Sequence, residues 1–491
     1  MHSINIVWLK RDLRLHDHAP LSAAIDAGLP TLICYCFEPS LLQDDHLHPS
    51  HQRFIVESLS DLSLQLTQQG HQLHVFWCDI SQLLTQLHQH FVIDTLFSHE
   101  EIGVMSTFQR DQQIAQWCQQ HQVTWQEFPQ FAVKRGKHGR KGWSSFADQF
   151  LQFPPKQTRI NSLKALSIDH LSSVKSLKCN RLPKEWLKSN SFYQSGGETP
   201  ALKQLSLFIE SSLSEYCFHI SKPDTSRYFS SRLSAYLAYG NLSLRQVLHT
   251  LHQAPSSRHK SAFYSRMRWH CHFIQKFESD CRIEFEPLNP AYVAIIQQQQ
   301  ERLNPDQQQC YFDAWSTGNT GYPLVDACMR ALLQTGFVNF RMRSMLVSVA
   351  CHHLQLDWKQ VALHLARHFL DFEPGIHYPQ IQMQAGLTGF NTLRIYNPVQ
   401  QSLKQDAQAK FIQEFVPKIA HLPLELKHQP WLVTPLEAQM LDAIPTRCTT
   451  PIFNSDETGK AARERLWSWR KRAEVKEQVP ALLRNQVKSD A

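Results

Sequence analysis

Short apolar runs alternate with amphipathic segments along the first 130 residues. The runs are rich in β-branched residues and have the length of buried strands. We expect strands at Ile4–Leu9, Thr31–Phe37, Gln72–Cys78, Val92–Phe97 and Val123–Phe128. Apolar residues three and four positions apart predict helices at Ala19–Ala27, His51–Gln68, Asp79–Gln89 and Thr107–His121. This alternation predicts a Rossmann-like α/β domain over residues 1–130, with a parallel sheet whose strand ends form a ligand site.

The hydrophobic pattern changes after residue 130. Residues 131–200 are polar and irregular, with many serines and several prolines, and predict a connector that adds little to a core. From residue 201 to 491 the helical spacing dominates, and no strand pattern of similar strength is present in the sequence. We expect helices at Ala201–Ser212, Leu233–Tyr239, Leu244–Gln253, His259–Phe277, Pro323–Thr335 and Arg341–Leu354. The second domain, residues 201–491, is therefore predicted to be all-α.

Composition narrows the class of protein. A chain of 491 residues is too long for one core, and a net charge of +7 is compatible with a polyanionic partner. Twelve cysteines without a CxxC pair predict reduced thiols and a cytoplasmic protein, with neither a disulfide framework nor a metal site. The N-terminus lacks the apolar core of a signal peptide, and no apolar run approaches the ~20 residues of a membrane span.

Five short motifs follow one another in a fixed order between Gly318 and Pro398. They are TGYP with VDACMR, then RMR, DW, DFEPGIH and RIYNP. Further matches lie at Ser230–Val247, SSRLSAYLAYGNLSLRQV, and at Ile6–Ile25, IVWLKRDLRLHDHAPLSAAI. So many motifs in register carry far more weight than a single one. In these motifs the chain resembles the photolyase/cryptochrome family, as a divergent bacterial-type member, over nearly its whole length. The resemblance implies FAD in the helical domain.

One motif offers phosphate-binding groups on its own chemistry. Hydroxyls in SSRLS would cap a helix, and the free N–H groups at its start favour an anion. The resemblance implies that five residues hold the FAD pyrophosphate, with Tyr216 nearby: Ser230, Ser231, Arg232, Leu233 and Ser234. Taken alone, SSRLS is more often only a helix cap.

The resemblance also places residues around the flavin ring. Arg343 and Asp371 match a pair beside the ring, Glu373 matches an acid that faces its polar edge, and His377 matches the residue next to N5. The alternative for Arg343 and Asp371 is a structural salt bridge. The alternative for His377 is a core histidine; the functional hypothesis is that it donates or titrates and so sets the flavin redox state.

The family's electron relay is altered in this sequence. Of three tryptophans, only the middle one has a match, Trp358, which we expect to be catalytic. The inner and outer positions read Ile381 and Pro305. Possible substitutes are Tyr378, Tyr311 and Trp315, and Trp315 is equally well explained by packing.

The expected substrate pocket is altered as well. Trp269 matches the tryptophan that stacks on a flipped-out dimer, and Arg341 matches a contact to the DNA backbone. Four other positions differ from the family: Arg266 replaces an acid, Phe340 an asparagine, Ser344 a methionine and Met383 a tryptophan. Arg266, Arg268 and Arg341 could form a basic rim.

An accessory chromophore is a further expectation from the resemblance. Lys10, Glu101 and Arg135 lie where an antenna of unknown identity would be held. GWSSFADQF at Gly142–Phe150 departs from the family's usual stretch, which argues against a pterin. A scaffold without an antenna is the alternative.

The resemblance implies a blue or near-UV light-driven flavoprotein that repairs pyrimidine dimers in single- or double-stranded DNA, hence a DNA photolyase. The alternative is a cryptochrome-like photoreceptor with a signalling partner and no repair activity. A third hypothesis is a DNA-binding flavoprotein that has lost photochemistry.

Overall fold

The N-terminal part of the chain forms a five-stranded parallel sheet. The computed structural model describes residues 2–136, 142–169, 171–441 and 450–486. The strands are β1 Ser3–Leu9, β2 Thr31–Cys36, β3 His74–Phe76, β4 Val92–His99 and β5 Thr124–Phe128. They lie in the order β3-β2-β1-β4-β5, and Val7 on β1 faces Ile33 and Phe97. Because the strand order reverses between β1 and β4, the loops after these strands flank a crevice where ligands bind in such sheets.

Helices cover both faces of the sheet, as the alternating pattern predicts. They span Ala19–Ala27, Pro39–Leu42, Pro49–Gln68, Ile80–His88 and Met105–Gln120. The helix Ala19–Ala27 has a proline at its second position and ends at Gly28, which adopts φ 71°; these are ordinary start and stop signals.

The rest of the described chain is helical. The connector contributes Trp143–Gln152 and Ser172–Lys175. The first helices of the second domain are Glu198–Leu207, Tyr216–His219, Ser226–Phe229, Ser234–Ala238, Leu244–Gln253, Arg258–Ser279, Tyr292–Gln300 and Pro305–Ser316. They are followed by Pro323–Thr335, Phe340–Ser348, Trp358–His368, Pro374–Gln384, Pro398–Gln405, Lys410–Phe415, Leu424–His428, Pro435–Met440, Ser455–Lys471 and Ala473–Gln486. Among the described residues, no helix has both the length and the apolarity needed to cross a membrane.

Shorter helical turns complete the chain. Two π-helical turns, Phe208–Ser212 and Val349–His353, follow directly on longer helices. The 3-10 turns are Ile160–Ser162, Lys184–Leu187, Leu213–Glu215, Cys281–Glu284, Pro417–Ile419 and Pro430–Leu432.

The connector contributes more to the interior than its composition suggests. Trp143 and Leu151 lie in the large core of the helical domain, whereas Ile160 and Trp186 pack against the sheet. The expectation that residues 131–200 add little to a core is therefore wrong. Single apolar residues spaced through a polar segment give no periodic signal, yet each of these four is buried in one of the two cores.

Buried polar contacts join the two domains. Glu198 accepts hydrogen bonds from the backbone N–H groups of Leu15 and His16, at 2.8 and 3.1 Å. Arg14 donates to the carbonyl oxygen of Gly240 at 2.9 Å. Gly240 adopts φ 67°, and a Cβ added there would lie 2.2 Å from the carbonyl oxygen of Arg11. Only glycine permits both this backbone conformation and this close approach.

Candidate active site

A cavity of about 500 Å³ opens among three helices of the second domain, Phe340–Ser348, Trp358–His368 and Pro374–Gln384. Four of the residues expected around a flavin ring line it: Arg343, Asp371, Glu373 and His377. These residues are up to 34 positions apart in sequence, and the helix packing brings them together.

Arg343 and Asp371 form an ion pair on the wall of this cavity. The Arg343 Nη2 and Asp371 Oδ2 atoms are 2.9 Å apart, and Arg343 Nε donates to the carbonyl oxygen of Val338 at 2.9 Å. Burial would raise the pKa of Asp371, but the Arg343 guanidinium holds that pKa below its usual value. The second oxygen, Asp371 Oδ1, is buried without a hydrogen-bond partner. The pair therefore has a structural role and still presents one free acceptor.

The SSRLS loop differs from the expected helix cap. The helix that follows, Ser234–Ala238, has only five residues and no side-chain cap. The prediction that hydroxyls cap a helix here is wrong, because Arg232 adopts φ 56° and turns the chain before the helix begins. The Ser230 hydroxyl is buried without a partner. Buried polar groups are normally satisfied, so an orphaned hydroxyl in this loop fits a ligand oxygen.

Contacts of Arg232 and Ser234 join this loop to the cavity. The Ser234 hydroxyl is close enough to Asp371 to help lower the pKa of that carboxyl. The Arg232 guanidinium lies 3.6 Å from the ring centre of Phe337, which Arg343 also approaches. Burial lowers the pKa of Arg232 to about 10. A desolvated guanidinium in a loop that also carries a buried free hydroxyl is suited to an anionic group.

Tyr216 lies in the core and is not one of the residues that line the cavity. It is 5% exposed, packs against Phe208 and Phe263, and its hydroxyl hydrogen-bonds Arg266. The position of this side chain in the core leaves its proposed phosphate contact without support from the cavity lining.

Arg11 was not identified as a site residue from the sequence. This residue of the loop after β1 donates to the carbonyl oxygens of Ala238 at 2.8 Å and Phe372 at 2.7 Å. Its Nη2 lies 3.5 Å from Glu373 Oε2. Burial raises the pKa of Glu373 to about 7, although Arg11 opposes the shift. The charged motif KRDLR could have drawn attention to Arg11. Because the motif lies in the first domain, the sequence did not indicate that Arg11 contacts the second domain.

His377 is a neutral imidazole. Its Nε2 donates to the carbonyl oxygen of Ala362 at 2.9 Å, which leaves Nδ1 as an acceptor. Burial lowers the pKa of His377 to about 3. This low pKa argues against titration of His377 near neutral pH, since the cavity wall excludes the water that would stabilise the cation.

Three of the residues expected to contact DNA lie at the surface. Phe340 is 47% exposed and also lines the cavity, so the cavity opens to the surface beside it. Trp269 is 46% exposed. Arg266 is exposed, Arg341 and Met383 are half-buried, and Ser344 is buried in the cavity wall.

The residues of the expected electron relay are dispersed. Ile381 lines the cavity, and Trp358 is buried at the start of its helix. Trp315 is fully buried, with its Nε1 donating to the carbonyl oxygen of Leu346 at 3.1 Å, a packing role. Pro305 begins the helix that carries Tyr311.

A second cavity, of about 900 Å³, lies at the carboxyl ends of the strands. Lys10 and Glu101 line it, as expected for an antenna site, but both are already paired. Lys10 Nζ lies 3.4 Å from Asp111, and Glu101 binds Arg110 at 2.7 Å. Arg135 binds Glu278 and the carbonyl oxygen of Glu101 instead of lining the cavity.

A buried cluster of Asp12, His18 and His99 has the donor types of a metal site. Asp12 Oδ2 lies 3.0 Å from His18 Nε2 and 2.7 Å from His99 Nδ1. His18 Nδ1 accepts the backbone N–H of Leu21, so Nε2 carries the proton. The contact between His99 and Asp12 is a hydrogen bond that ties the loop after β1 to β4, whereas His18 Nε2 lies near Asp12 without hydrogen-bond geometry.

The fold and the cavity together define a two-domain flavoprotein. The chain belongs to the photolyase/cryptochrome family. Residues 5–150 match the family model described as DNA photolyase, and residues 263–468 match the model described as the FAD binding domain of DNA photolyase. FAD is accordingly its cofactor. The predicted fold class and cofactor are confirmed, and the orphaned Ser230 hydroxyl and Asp371 oxygen fit that group.

Relatives with two different names resemble this chain. The deoxyribodipyrimidine photo-lyase of Alkalihalophilus pseudofirmus is 25% identical over 454 residues, 87% of this chain and 90% of the relative. The cryptochrome DASH of Synechocystis is 26% identical over 474 residues, 88% of this chain and 91% of the relative. The relatives therefore include both photolyases and cryptochromes.

Solved structures share the fold. A class III photolyase from Agrobacterium tumefaciens superposes with a TM-score of 0.83 at 23% identity, covering 96% of this chain and 98% of its own. A photolyase from Sulfolobus tokodaii, described as holding two FAD molecules, superposes with a TM-score of 0.77 at 21% identity. The superposition covers 95% of this chain and 100% of the photolyase chain.

Proposed function

We propose that this protein uses blue or near-UV light to split pyrimidine dimers in DNA. The observation that carries the proposal is the position of Phe340, which lines the cavity of Arg343 and Asp371 and is 47% exposed. A base flipped out of DNA can reach the cavity at this point. Extrusion costs a few kcal/mol, and less for a damaged base.

A basic groove is lined by the residue that follows Phe340 in the chain. Arg341, next to Phe340, lines an open groove together with Arg394, Arg463 and Arg470, and the half-exposed Trp467 lies among them. No acidic residue is among the described residues that line the groove. Such a surface suits the phosphates of a nucleic acid, and stacking on Trp269 or Trp467 suits its bases.

The protein's own residues bind and orient the cofactor and exclude water from the cavity. Arg343 and Asp371 fix one side of the cavity, and the neutral Nδ1 of His377 offers an acceptor. Arg232 and the Ser230 hydroxyl provide the anion site. When bound, FAD supplies light absorption and the transfer of one electron to the dimer and back.

Replacements at the expected substrate positions favour the second candidate, a cryptochrome-like photoreceptor. Arg266 stands where the family has an acid, and it interacts with Tyr216 instead. Phe340 stands where the family has an asparagine and cannot hydrogen-bond a base. Ser344 and Met383 replace larger apolar groups. In this alternative the groove binds a protein partner.

The test uses FAD-loaded protein reduced with dithionite in the dark. It is mixed with an oligonucleotide that carries one thymine cyclobutane dimer, single- or double-stranded, and illuminated. We expect thymines to be restored in light and not in darkness, as measured by chromatography. A reversible light response of the flavin without restored thymines would favour the photoreceptor.

A further inference from the structure

Tyr378, His46 and Asp44 form a hydrogen-bonded chain between the two domains. The Tyr378 hydroxyl lies 2.5 Å from His46 Nε2, and His46 Nδ1 lies 2.6 Å from Asp44 Oδ1. Tyr378 is 4% and His46 8% exposed. The loop that carries His46 and Asp44 lies more than 330 positions before Tyr378.

The proton positions in this chain follow from the partners. Burial raises the pKa of Tyr378, so its hydroxyl keeps the proton and donates to His46. Burial alone would raise the pKa of Asp44, but hydrogen bonds from His46 hold that pKa below its usual value. The carboxylate therefore accepts from His46 Nδ1, as well as from Ser106 at 2.8 Å.

This chain stands on the wall between the two cavities. His46 lines the cavity at the strand ends, His377 lines the cavity of Arg343 and Asp371, and Phe372 lines both. The ring centres of His46 and Phe372 are 5.2 Å apart, those of Phe372 and His377 5.3 Å, and those of His377 and Tyr378 5.4 Å. Tyr378 is thus one ring away from the proposed flavin cavity.

Ile381, one helical turn after Tyr378, faces the cavity but cannot supply electrons. Ile381 is 4% exposed and lines the cavity on the same helix, Pro374–Gln384. An alkyl side chain is not oxidised by an excited flavin. An oxidisable phenol lies three positions earlier, already bonded to a base.

We propose that Tyr378 is the electron donor that reduces the light-excited flavin, with His46 as the acceptor of its proton. One electron leaves the phenol for the flavin, the O–H bond breaks, and the proton moves to His46 Nε2. A neutral tyrosyl radical and an imidazolium paired with Asp44 remain. A thiolate in solution then returns one electron to the radical and becomes a thiyl radical, while His46 returns the proton. The inference rests on the proposed light-driven function.

The partners explain why this tyrosine is suited to the role. Loss of an electron makes a phenol strongly acidic, so oxidation is easier when a base already accepts its hydrogen bond. A positioned base contributes about 10²–10⁴-fold to the rate of a reaction that moves a proton. Asp44 stabilises the imidazolium and fixes the ring, as the carboxylate does in a catalytic triad.

The test illuminates FAD-loaded protein in the presence of a thiol. We expect a tyrosyl radical in the electron paramagnetic resonance spectrum, altered by ring-deuterated tyrosine, and slower flavin reduction in D₂O. Tyr378→Phe should abolish the signal, and His46→Gln should slow flavin reduction by about 10²-fold. The matched control is Tyr193→Phe, which removes a half-buried connector hydroxyl that donates to the carbonyl oxygen of Leu333 at 3.1 Å and should change neither readout.

A purely structural role makes different predictions. It would alter the stability of the variants but produce no radical and no effect of D₂O. Flavin reduction in wild-type protein without a tyrosyl signal, or at an unchanged rate in Tyr378→Phe, would overturn the inference. Wild-type protein that dithionite has already reduced needs no electron from Tyr378, so its dimer repair is measured independently of that residue. Failure of that assay, with the tyrosyl radical still present, would reject repair and leave the electron donor in place.

Discussion

The Arg11 Nη2 atom donates a 2.7 Å hydrogen bond to the carbonyl oxygen of Phe372. The first residue belongs to the sheet domain, and the second lies between the two acids of the proposed flavin site. The same guanidinium holds Ala238 at the end of the SSRLS helix and approaches Glu373. One side chain of the first domain therefore contacts two segments of the second.

Replacement of Arg11 should affect both stability and cofactor uptake. Arg11→Met leaves two carbonyl oxygens and Glu373 without their charged partner, which should cost about 3 kcal/mol of unfolding free energy. FAD affinity should fall with it. Urea unfolding and FAD titration measure the two effects. Arg181→Met, at an exposed connector position, is the matched control and should change neither.

Glu373 should make stability depend on pH in a definite direction. Its folded-state pKa of about 7 lies above the ordinary value of 4.5, so the folded state binds the proton more tightly. Its contribution to stability is therefore present at low pH and is lost as pH rises towards 7. Between pH 5 and 8, flavin-free wild-type protein should lose about 2 kcal/mol relative to Glu373→Gln, at up to ~1.4 kcal/mol per pH unit.

Urea unfolding at several pH values measures this difference. Glu185→Gln, which removes an exposed carboxylate, serves as the reference for general effects of charge. Parallel pH profiles for wild-type protein and Glu373→Gln would mean that Glu373 is already ionised at pH 5.

Trp269 should matter for DNA and not for the cofactor. Stacking of a base on an aromatic ring contributes about 1–3 kcal/mol, so Trp269→Ala should weaken binding of dimer-containing DNA about 5- to 150-fold. The flavin spectrum should stay unchanged, because Trp269 is not among the residues that line the cavity. Gel-shift or anisotropy titrations provide the measurement.

The control for Trp269 is Trp77→Ala, at a 37% exposed tryptophan beside the edge strand β3. Equal losses of DNA affinity in both variants would point to a general effect of removing surface aromatic area. Such a result would remove Trp269 from the proposed lesion site.

His377 should stay neutral throughout the physiological range. In flavin-free protein its ring nitrogens should show no titration in ¹⁵N NMR spectra above pH ~4, because burial lowers its pKa to about 3. His377→Asn in FAD-loaded protein should then change the rate of flavin reoxidation equally at pH 6 and pH 8. A titration midpoint near pH ~6.5 for His377 in the wild-type spectra would instead support the hypothesis that His377 changes its protonation state near neutral pH.

The sequence by itself determined the order and nature of the elements. The apolar runs predicted strands close to their observed positions, since a period of two or a continuous run needs only local information. Ala19–Ala27 was predicted to the residue, because its proline and the following glycine are local signals. The motif series around Arg343, Asp371 and Glu373 indicated the cofactor, since all its members lie within one stretch of chain.

Only the tertiary structure decided which residues meet across the domains. Arg11 reaches Phe372, and His46 reaches Tyr378, over more than 330 positions. No local pattern encodes these contacts, because they depend on how two separately folded cores dock. The left-handed turn at Arg232 and the neutral state of His377 depend likewise on burial, which a residue acquires only when its neighbours from distant segments exclude water.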